Sequence, residues 1–264
     1  MARVIAVFNQ SGGVGKTTLT MNLGHHLAAL DQKVLLVDMD PQGSLTTFMG
    51  LDPFELETTV YQSIMMDESP PIHSEIHGMD LVPSNINLCG AEMELVTADM
   101  RDFRLKEALQ RLQNEYNFIL VDCPPSLGIL SYISLVAATH ILVPIQTHYK
   151  ALMGTGLLFQ TIQRVRSRAN KNLKIAGFVP TLYDQRNSQC ERSLASIRQQ
   201  LQKAGTIFPP VPAAIAFADA AEKHKPLAVY DPKHPAVSSK KNKKTKKLEK
   251  SVMEELAEGV LALG

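Results

Sequence analysis

The sequence predicts an α/β fold: a single doubly wound, mostly parallel sheet flanked by helices, running as one domain over residues 1–264. Three observations carry this prediction. Short segments that are apolar throughout recur along the chain, which is how strands buried on both faces read. Segments with helical apolar spacing separate them, and that alternation argues parallel pairing through crossover helices. A Gly-rich turn joins the first apolar segment to the first helical one.

The elements follow in order. Residues 3–8 (RVIAVF) form a β-branched strand, 17–30 a helix, and 33–38 (KVLLVD) a second strand. Residues 52–87, which include Pro70, Pro71 and Pro83, are the least regular part and are expected to form a peripheral excursion. A helical period spans 101–116, and 118–122 (FILVD) is again a strand. Strands at 141–145, 175–179 and 207–211 continue the series, with helices at 155–168 and 191–202 between them. Residues 251–263 read as a terminal amphipathic helix, and no internal repeat is present.

Composition excludes several classes. With 45% hydrophobic and 20% charged residues the chain can bury a sizeable core, so it is not a disordered chain. No apolar stretch approaches the roughly 20 residues needed to span a bilayer. Cys89, Cys123 and Cys190 form no CxxC pair and no disulfide framework, which fits a reducing, cytoplasmic setting. The net charge of +1 conceals a lopsided distribution: residues 240–250 (KKNKKTKKLEK) carry seven lysines against one glutamate, leaving −5 on the rest of the chain. That run reads either as a solvated segment or as a polyanion contact, since clustered lysines release counterions from phosphates.

The strongest chemistry lies in the first strand–turn–helix, Gln10-Ser11-Gly12-Gly13-Val14-Gly15-Lys16-Thr17-Thr18. Glycines at 12, 13 and 15 let backbone N–H groups curl around phosphate oxygens, and the helix N-terminus adds its positive dipole end. Lys16 is placed to neutralise β/γ-phosphate charge and the Thr17 hydroxyl to ligate Mg²⁺. The spacing departs from the generic GxxxxGK[ST], because Gln10 stands where the first glycine is expected. Asp38 and Asp40, two apart at a strand's end, point to the same side and are placed to address Mg²⁺ and an attacking water. Asp122 ends the FILV run and is placed to hold Mg²⁺ through water; each acid also has a simpler reading as a turn or capping residue. Phosphoryl transfer to water needs charge neutralisation and an in-line water more than covalent chemistry.

GGVGKTT resembles the deviant Walker A motif of the ParA/MinD ATPases, usually KGGxGKT, and the likeness covers nearly the whole chain. LLVDMDPQGS (35–44) is similar to the switch segment of the ParA branch, and FILVDCPPSLG (118–128) to its Walker B and second switch. TVYQSIM with LVPSNINLCGAEMEL (59–95), VPIQTHYKALMG, PTLYDQRNS and KPLAVYDP (225–232) resemble its further blocks, in order. The resemblance implies a P-loop NTPase fold and nucleotide contacts from Ser11 through Thr18. It implies that Asp40 orients the water, that Asp38 serves the metal's hydration shell, and that Asp184 and Pro212 flank the base. Gln42 either reaches the phosphates or closes a turn.

Two departures from the family pattern matter. The signature lysine, which reaches across a dimer to the partner's nucleotide, is Ser11 here, and the Arg-containing stretch after the proline is Ala213-Ala214-Ile215-Ala216. Absence of that lysine resembles the McdA-type proteins that distribute carboxysomes in cyanobacteria. Lys150 stands where the family usually has an aromatic or apolar residue, and is the candidate to supply the missing cross-dimer charge.

The resemblance implies a cytoplasmic, nucleoid-associated ATPase that binds MgATP and forms a nucleotide-sandwich homodimer. It implies non-specific binding of double-stranded DNA and hydrolysis stimulated by an adaptor protein that links to the cargo, with no membrane involved. Candidate DNA contacts are Lys240, Lys241, Lys243, Lys244, Lys246 and Lys247, or else Arg164, Arg166, Arg168, Lys171 and Lys174. The expected cargo is a carboxysome. The alternatives are a plasmid or chromosome partition ATPase, and a nucleotide-dependent scaffold that barely turns over. Electron-transferring or metal-loading relatives would need paired cysteines, which this chain lacks.

Overall fold

β1 (Arg3–Val7) lies in the middle of the sheet, and its alternation divides the interior in two. Val4, Ala6 and Phe8 face one apolar cluster while Ile5 and Val7 face the other, on the opposite side of the sheet. The same split holds for β2 (Val34–Asp38) and β5 (Phe118–Asp122), so these strands must be apolar throughout. The computed structural model describes residues 1–150, 152–241 and 248–263.

Eight strands form the main sheet, in the order β3-β4-β2-β5-β1-β6-β7-β8. β3 (His73–Ile76) pairs antiparallel with β4 (Met79–Val82); every other neighbouring pair is parallel. The remaining strands are β6 (His140–Gln146), β7 (Lys174–Thr181) and the short β8 (Thr206–Ile207). Crossover helices follow: α1 (Lys16–Ala28) after β1, α2 (Ser44–Phe48) and α3 (Val60–Met65) after β2, and α4 (Leu88–Glu94) and α5 (Arg104–Gln110) before β5. α6 (Ile129–Ala137) leads to β6, α7 (Thr155–Arg168) to β7, and α8 (Ser188–Leu201) to β8. α9 (Ile215–Glu222) and α10 (Leu227–Tyr230) come next, and α11 (Val252–Leu261) packs along α1. A Ser251–Glu254 capping box starts α11. The chain leaves β1 for β2 on one side and later returns to β6 on the other, so a crevice opens at the C-terminal ends of the central strands. Among the described residues no helix is long and apolar enough to cross a membrane.

The structure corrects three expectations. Residues 52–87 are not peripheral throughout, because β4 adds to the parallel sheet beside β2. Its apolar run is interrupted by Asp80, whose carboxylate accepts from the Tyr116 hydroxyl and the Glu75 N–H and so satisfies a charge within a strand. The 101–116 period yields a 3₁₀ turn and α5 only, since the Gln113 and Asn117 carbonyls are taken by the Ala2 and Arg3 N–H groups at the start of β1. The expected strand at 207–211 stops at Ile207, because Pro209 and Pro210 have no N–H to give. At the two ends of the basic run, β9 (Lys240–Lys241) pairs antiparallel with β10 (Leu248–Glu249).

Candidate functional site

The turn after β1 is an open cradle. Gly13 (φ 70°) and Gly15 (φ 83°) hold left-handed backbone, and a Cβ built on either would meet nothing within 4 Å. Glycine is required there by conformation, and the space that a side chain would fill stays clear for a ligand. Three anchors outside the motif hold the cradle. Asn9 donates to the Pro144 carbonyl at 2.7 Å and accepts the Ser11 N–H at 2.9 Å, and the Thr181 hydroxyl donates to the Val14 carbonyl at 2.9 Å. Neither Asn9 nor Thr181 carries a signal in the sequence, since each acts through backbone far away along the chain.

Lys16 opens α1 almost wholly buried, and its ammonium donates to the Ser11 carbonyl at 2.9 Å. Burial lowers its pKa, with the Asp122 carboxylate pulling the other way. Next on the helix, the Thr17 hydroxyl donates to Asp122 Oδ2 at 2.7 Å, and Thr20 reaches Oδ1 at 3.3 Å.

Asp122 ends β5 beside Asp38, the last residue of β2, in direct register, and both are fully buried. Burial pushes both carboxyl pKa values well above the ordinary carboxylate range, and each lies close enough to other acids to add to the effect. Asp38 is held by its own segment: Oδ1 accepts the Asp40 N–H at 3.0 Å, while Oδ2 accepts the Thr46 N–H and hydroxyl at 2.9 and 2.8 Å. Asp40 lies half-buried at the cradle's edge, closing an Asx turn with the Gln42 N–H at 3.0 Å. Ser84, a residue that the sequence did not single out, donates to the Asp40 carbonyl at 2.9 Å and pins this turn to the end of β4. The Gln42 side chain is exposed and lines a separate open cavity with Pro41, Phe54 and His224.

Beside the cradle lies an apolar cavity of about 240 Å³ lined by Gly15, Thr18, Phe48, Leu182, Pro212 and Phe217, among others. Pro212 and Thr18 therefore converge on one chamber next to the glycine turn. Asp184 does not join them; it is paired with Arg186 at 3.1 Å. Lys150 is exposed on the β6–α7 segment, its ammonium 5.5 Å over the Tyr149 ring. Of the basic run, Lys240 is exposed, Lys241 sits in β9, and Lys243, Lys244, Lys246 and Lys247 lie outside the described residues. Lys250 is engaged by Glu258 at 2.6 Å. Arg164 and Arg168 open with Arg101 onto a surface cleft, while Arg166 donates to the Leu173 carbonyl at 2.7 Å. Lys171 and Lys174 are exposed.

A family model described as an AAA domain (AAA_31) matches residues 2–175. The chromosome partitioning protein ParA of Caulobacter vibrioides is 39% identical over 236 residues, covering 87% of each chain. A Mycobacterium smegmatis structure named cobyrinic acid a,c-diamide synthase, with bound ATP analogue and magnesium, is 38% identical with a TM-score of 0.78, covering 84% of this chain and 92% of that one. An ATP complex of a Cyanothece McdA variant superimposes with a TM-score of 0.82 over 98% and 95% of the chains at 22% identity, a likeness of fold alone. An open glycine cradle, a buried lysine and a threonine–aspartate pair at the sheet's edge thus accompany close similarity to partition ATPases along most of the chain. The chain belongs to the ParA/MinD family of P-loop ATPases.

Proposed function

We propose that this ATPase works as a nucleotide-switched positioning protein: it binds MgATP, forms an ATP-sandwich homodimer, binds DNA without sequence preference, and lets go after partner-stimulated hydrolysis. The observation that carries this reading is the convergence of the open cradle with Lys16, Thr17, Asp40 and Asp122 at one sheet edge.

The residues fit a triphosphate and a divalent cation. Backbone N–H groups from Ser11 to Thr18 cradle the phosphates, and Lys16 neutralises them from the helix N-terminus. The base stacks in the apolar chamber against Pro212, which is bridged along the backbone to Tyr183, the residue before Asp184. Thr17 and Asp122 offer hard oxygen donors already in contact, the chemistry magnesium prefers, and when bound the ion offsets charge between the phosphates. Asp38 Oδ1 accepts one hydrogen bond from its own segment, so it retains lone-pair capacity that could serve the hydration shell of a bound cation. Asp40, whose turn Ser84 and Asp38 hold in place, orients the attacking water, while the Gln42 N–H closes that turn and its side chain faces the separate cavity.

Lys150 supplies the cross-dimer charge that Ser11 cannot. The basic run at 240–250 supplies DNA contacts, which would place the protein on the nucleoid in the cytoplasm. Ser11 in place of the signature lysine supports a carboxysome as cargo, and the 39% identity to a chromosome partitioning protein supports a chromosome or plasmid. Phosphate release from the wild type, measured with duplex DNA and with an Asp40→Ala control, tests the cycle. Turnover that stays at the Asp40→Ala level under all conditions would leave a scaffold in place of a motor. A fluorescent fusion that tracks carboxysomes rather than origins would decide the cargo.

A further inference from the structure

The glycine cradle and the segment bearing Lys150 are joined by one side chain. Gln10 Nε2 donates to the Gly154 carbonyl at 2.7 Å, across 144 positions of sequence. The amide's orientation is set by its partner, since a carbonyl can only accept. That carbonyl also receives the Leu158 N–H, the first hydrogen bond of α7, so Gln10 grips the helix at its starting turn. The fit is close: a Cβ on Gly154 would lie 2.4 Å from Gln10 Nε2, so only glycine admits the amide there.

The Met153 N–H donates to the Lys150 carbonyl at 3.0 Å, which bonds Lys150 to the residue just before Gly154. On the other side, Gln10 precedes Ser11, whose carbonyl holds the Lys16 ammonium and whose N–H is held by Asn9. Hydrogen bonds thus run from the Lys16 ammonium to the Ser11 carbonyl and from the Gln10 amide to the Gly154 carbonyl, and a further one ties Met153, beside Gly154, to the exposed Lys150. Lys150 itself makes only a ring contact with its neighbour Tyr149 among the described residues, so its placement depends on the turn beneath it.

We propose that Gln10 is a positioning residue: its amide clasps the Gly154 carbonyl, at the start of α7, to the nucleotide loop and so presents Lys150 to the second protomer's nucleotide. The effect on dimerisation rests on the sandwich-dimer reading above; the clasp itself does not. Gln10 stands where the generic phosphate loop has its first glycine, and a glycine could not make this contact. The substitution therefore adds a tether to a loop that would otherwise cradle phosphates alone.

Two measurements on the full-length protein test this, and they fail independently. The first is hydrogen–deuterium exchange of residues 152–158 in nucleotide-free protein. Gln10→Glu keeps the side chain's shape but sets a carboxylate against the Gly154 carbonyl, and should speed exchange there by about fivefold, as loss of one hydrogen bond allows. Unchanged exchange in both Gln10→Glu and Gln10→Ala would overturn the clasp whatever the dimer does. The second is dimerisation with a slowly hydrolysed ATP analogue, followed by sedimentation. Gln10→Glu and Gln10→Ala should bind the analogue within about threefold of wild type yet dimerise at least tenfold more weakly. In a Lys150→Ala background the same changes should add almost nothing, because the two residues act in one chain. Full additivity, or normal dimerisation of Gln10→Glu beside a defective Lys150→Ala, would overturn the positioning role. Normal dimerisation of Lys150→Ala would instead defeat the lysine's role, with the exchange measurement still deciding the clasp.

Discussion

Asp38 and Asp122 end neighbouring parallel strands in direct register, and neither has any exposed surface. Two carboxylates side by side without water is an arrangement that folding alone does not favour. The Thr46, Thr17 and Asp40 donors offset part of the cost, and Lys16 offsets more of it at Asp122. A bound divalent cation would relieve the remaining tension by offsetting the charge of the two acids.

A pH dependence follows. Burial raises both carboxyl pKa values above those of the unfolded chain, so their contribution to stability is complete below about pH 4 and is lost as pH rises through the raised values. Nucleotide-free protein in EDTA should therefore melt lower at pH 8 than its Asp122→Asn variant, by about 2–4 °C for each kcal/mol of relieved charge. The gap should narrow toward pH 5.5, where wild-type protein takes up a proton at the pair. Thermal melts across that range read it directly, and a variant less stable than wild type at pH 8 would refute the account.

Lys16→Ala should remove ATP binding without unfolding the chain. The ammonium is nearly buried beside the cradle, and phosphate charge left unpaired in such a place costs several kcal/mol, far above the ~1.4 kcal/mol of a tenfold change. Calorimetric titration with ATP on a variant of unchanged melting temperature checks this. Wild-type affinity would sink the assignment of the loop.

Much of this was readable from residue order, for physical reasons. Strands buried on both faces announce themselves as RVIAVF, KVLLVD and FILVD, and a loop that must bend left-handed next to a helix start announces itself by Gly13, Gly15 and Lys16. What stayed hidden were contacts made through backbone or between distant segments. β4 hid because Asp80 breaks its pattern, and Ser84 because its job is one hydrogen bond to the Asp40 carbonyl. α9 and α10 hid in a segment read only by family resemblance, where Pro212 and Pro226 mark boundaries more plainly than helices. Asp184, expected beside the base by resemblance, follows Tyr183, which bridges to Pro212, and its carboxylate pairs with Arg186.

The basic run has its own test. If residues 240–250 contact DNA backbone, affinity should be indifferent to sequence and fall steeply with salt. Each lysine replaced by glutamine should then reduce the slope of log K against log salt by about 0.9 per lost phosphate contact. Lys250 is the exception, since Glu258 already neutralises it, and Lys250→Gln should change the slope least. Neutralising the remaining six lysines without weakening binding would move the DNA surface elsewhere, to Arg164, Arg168 and their neighbours.

The last prediction concerns what Ser11 gives up. A serine can hydrogen-bond a phosphate oxygen but cannot neutralise it, and two nucleotides facing each other accumulate negative charge. Lys150, exposed at the C-terminal side of β6 with a long stem and a compact charge, lies at the edge where doubly wound sheets hold ligands. Lys150→Ala should bind ATP as a monomer within about threefold of wild type. It should fail to form the ATP-dependent dimer and, with the dimer gone, should lose DNA binding. Restoring a cation on the other side of the loop, as Ser11→Lys, should return dimerisation to the Lys150→Ala protein, because either position then delivers one positive charge across the same interface. Light scattering with ATP and Mg²⁺ distinguishes the outcomes. A Lys150→Ala protein that dimerises normally, or a double variant that Ser11→Lys does not rescue, would show that the charge comes from another residue.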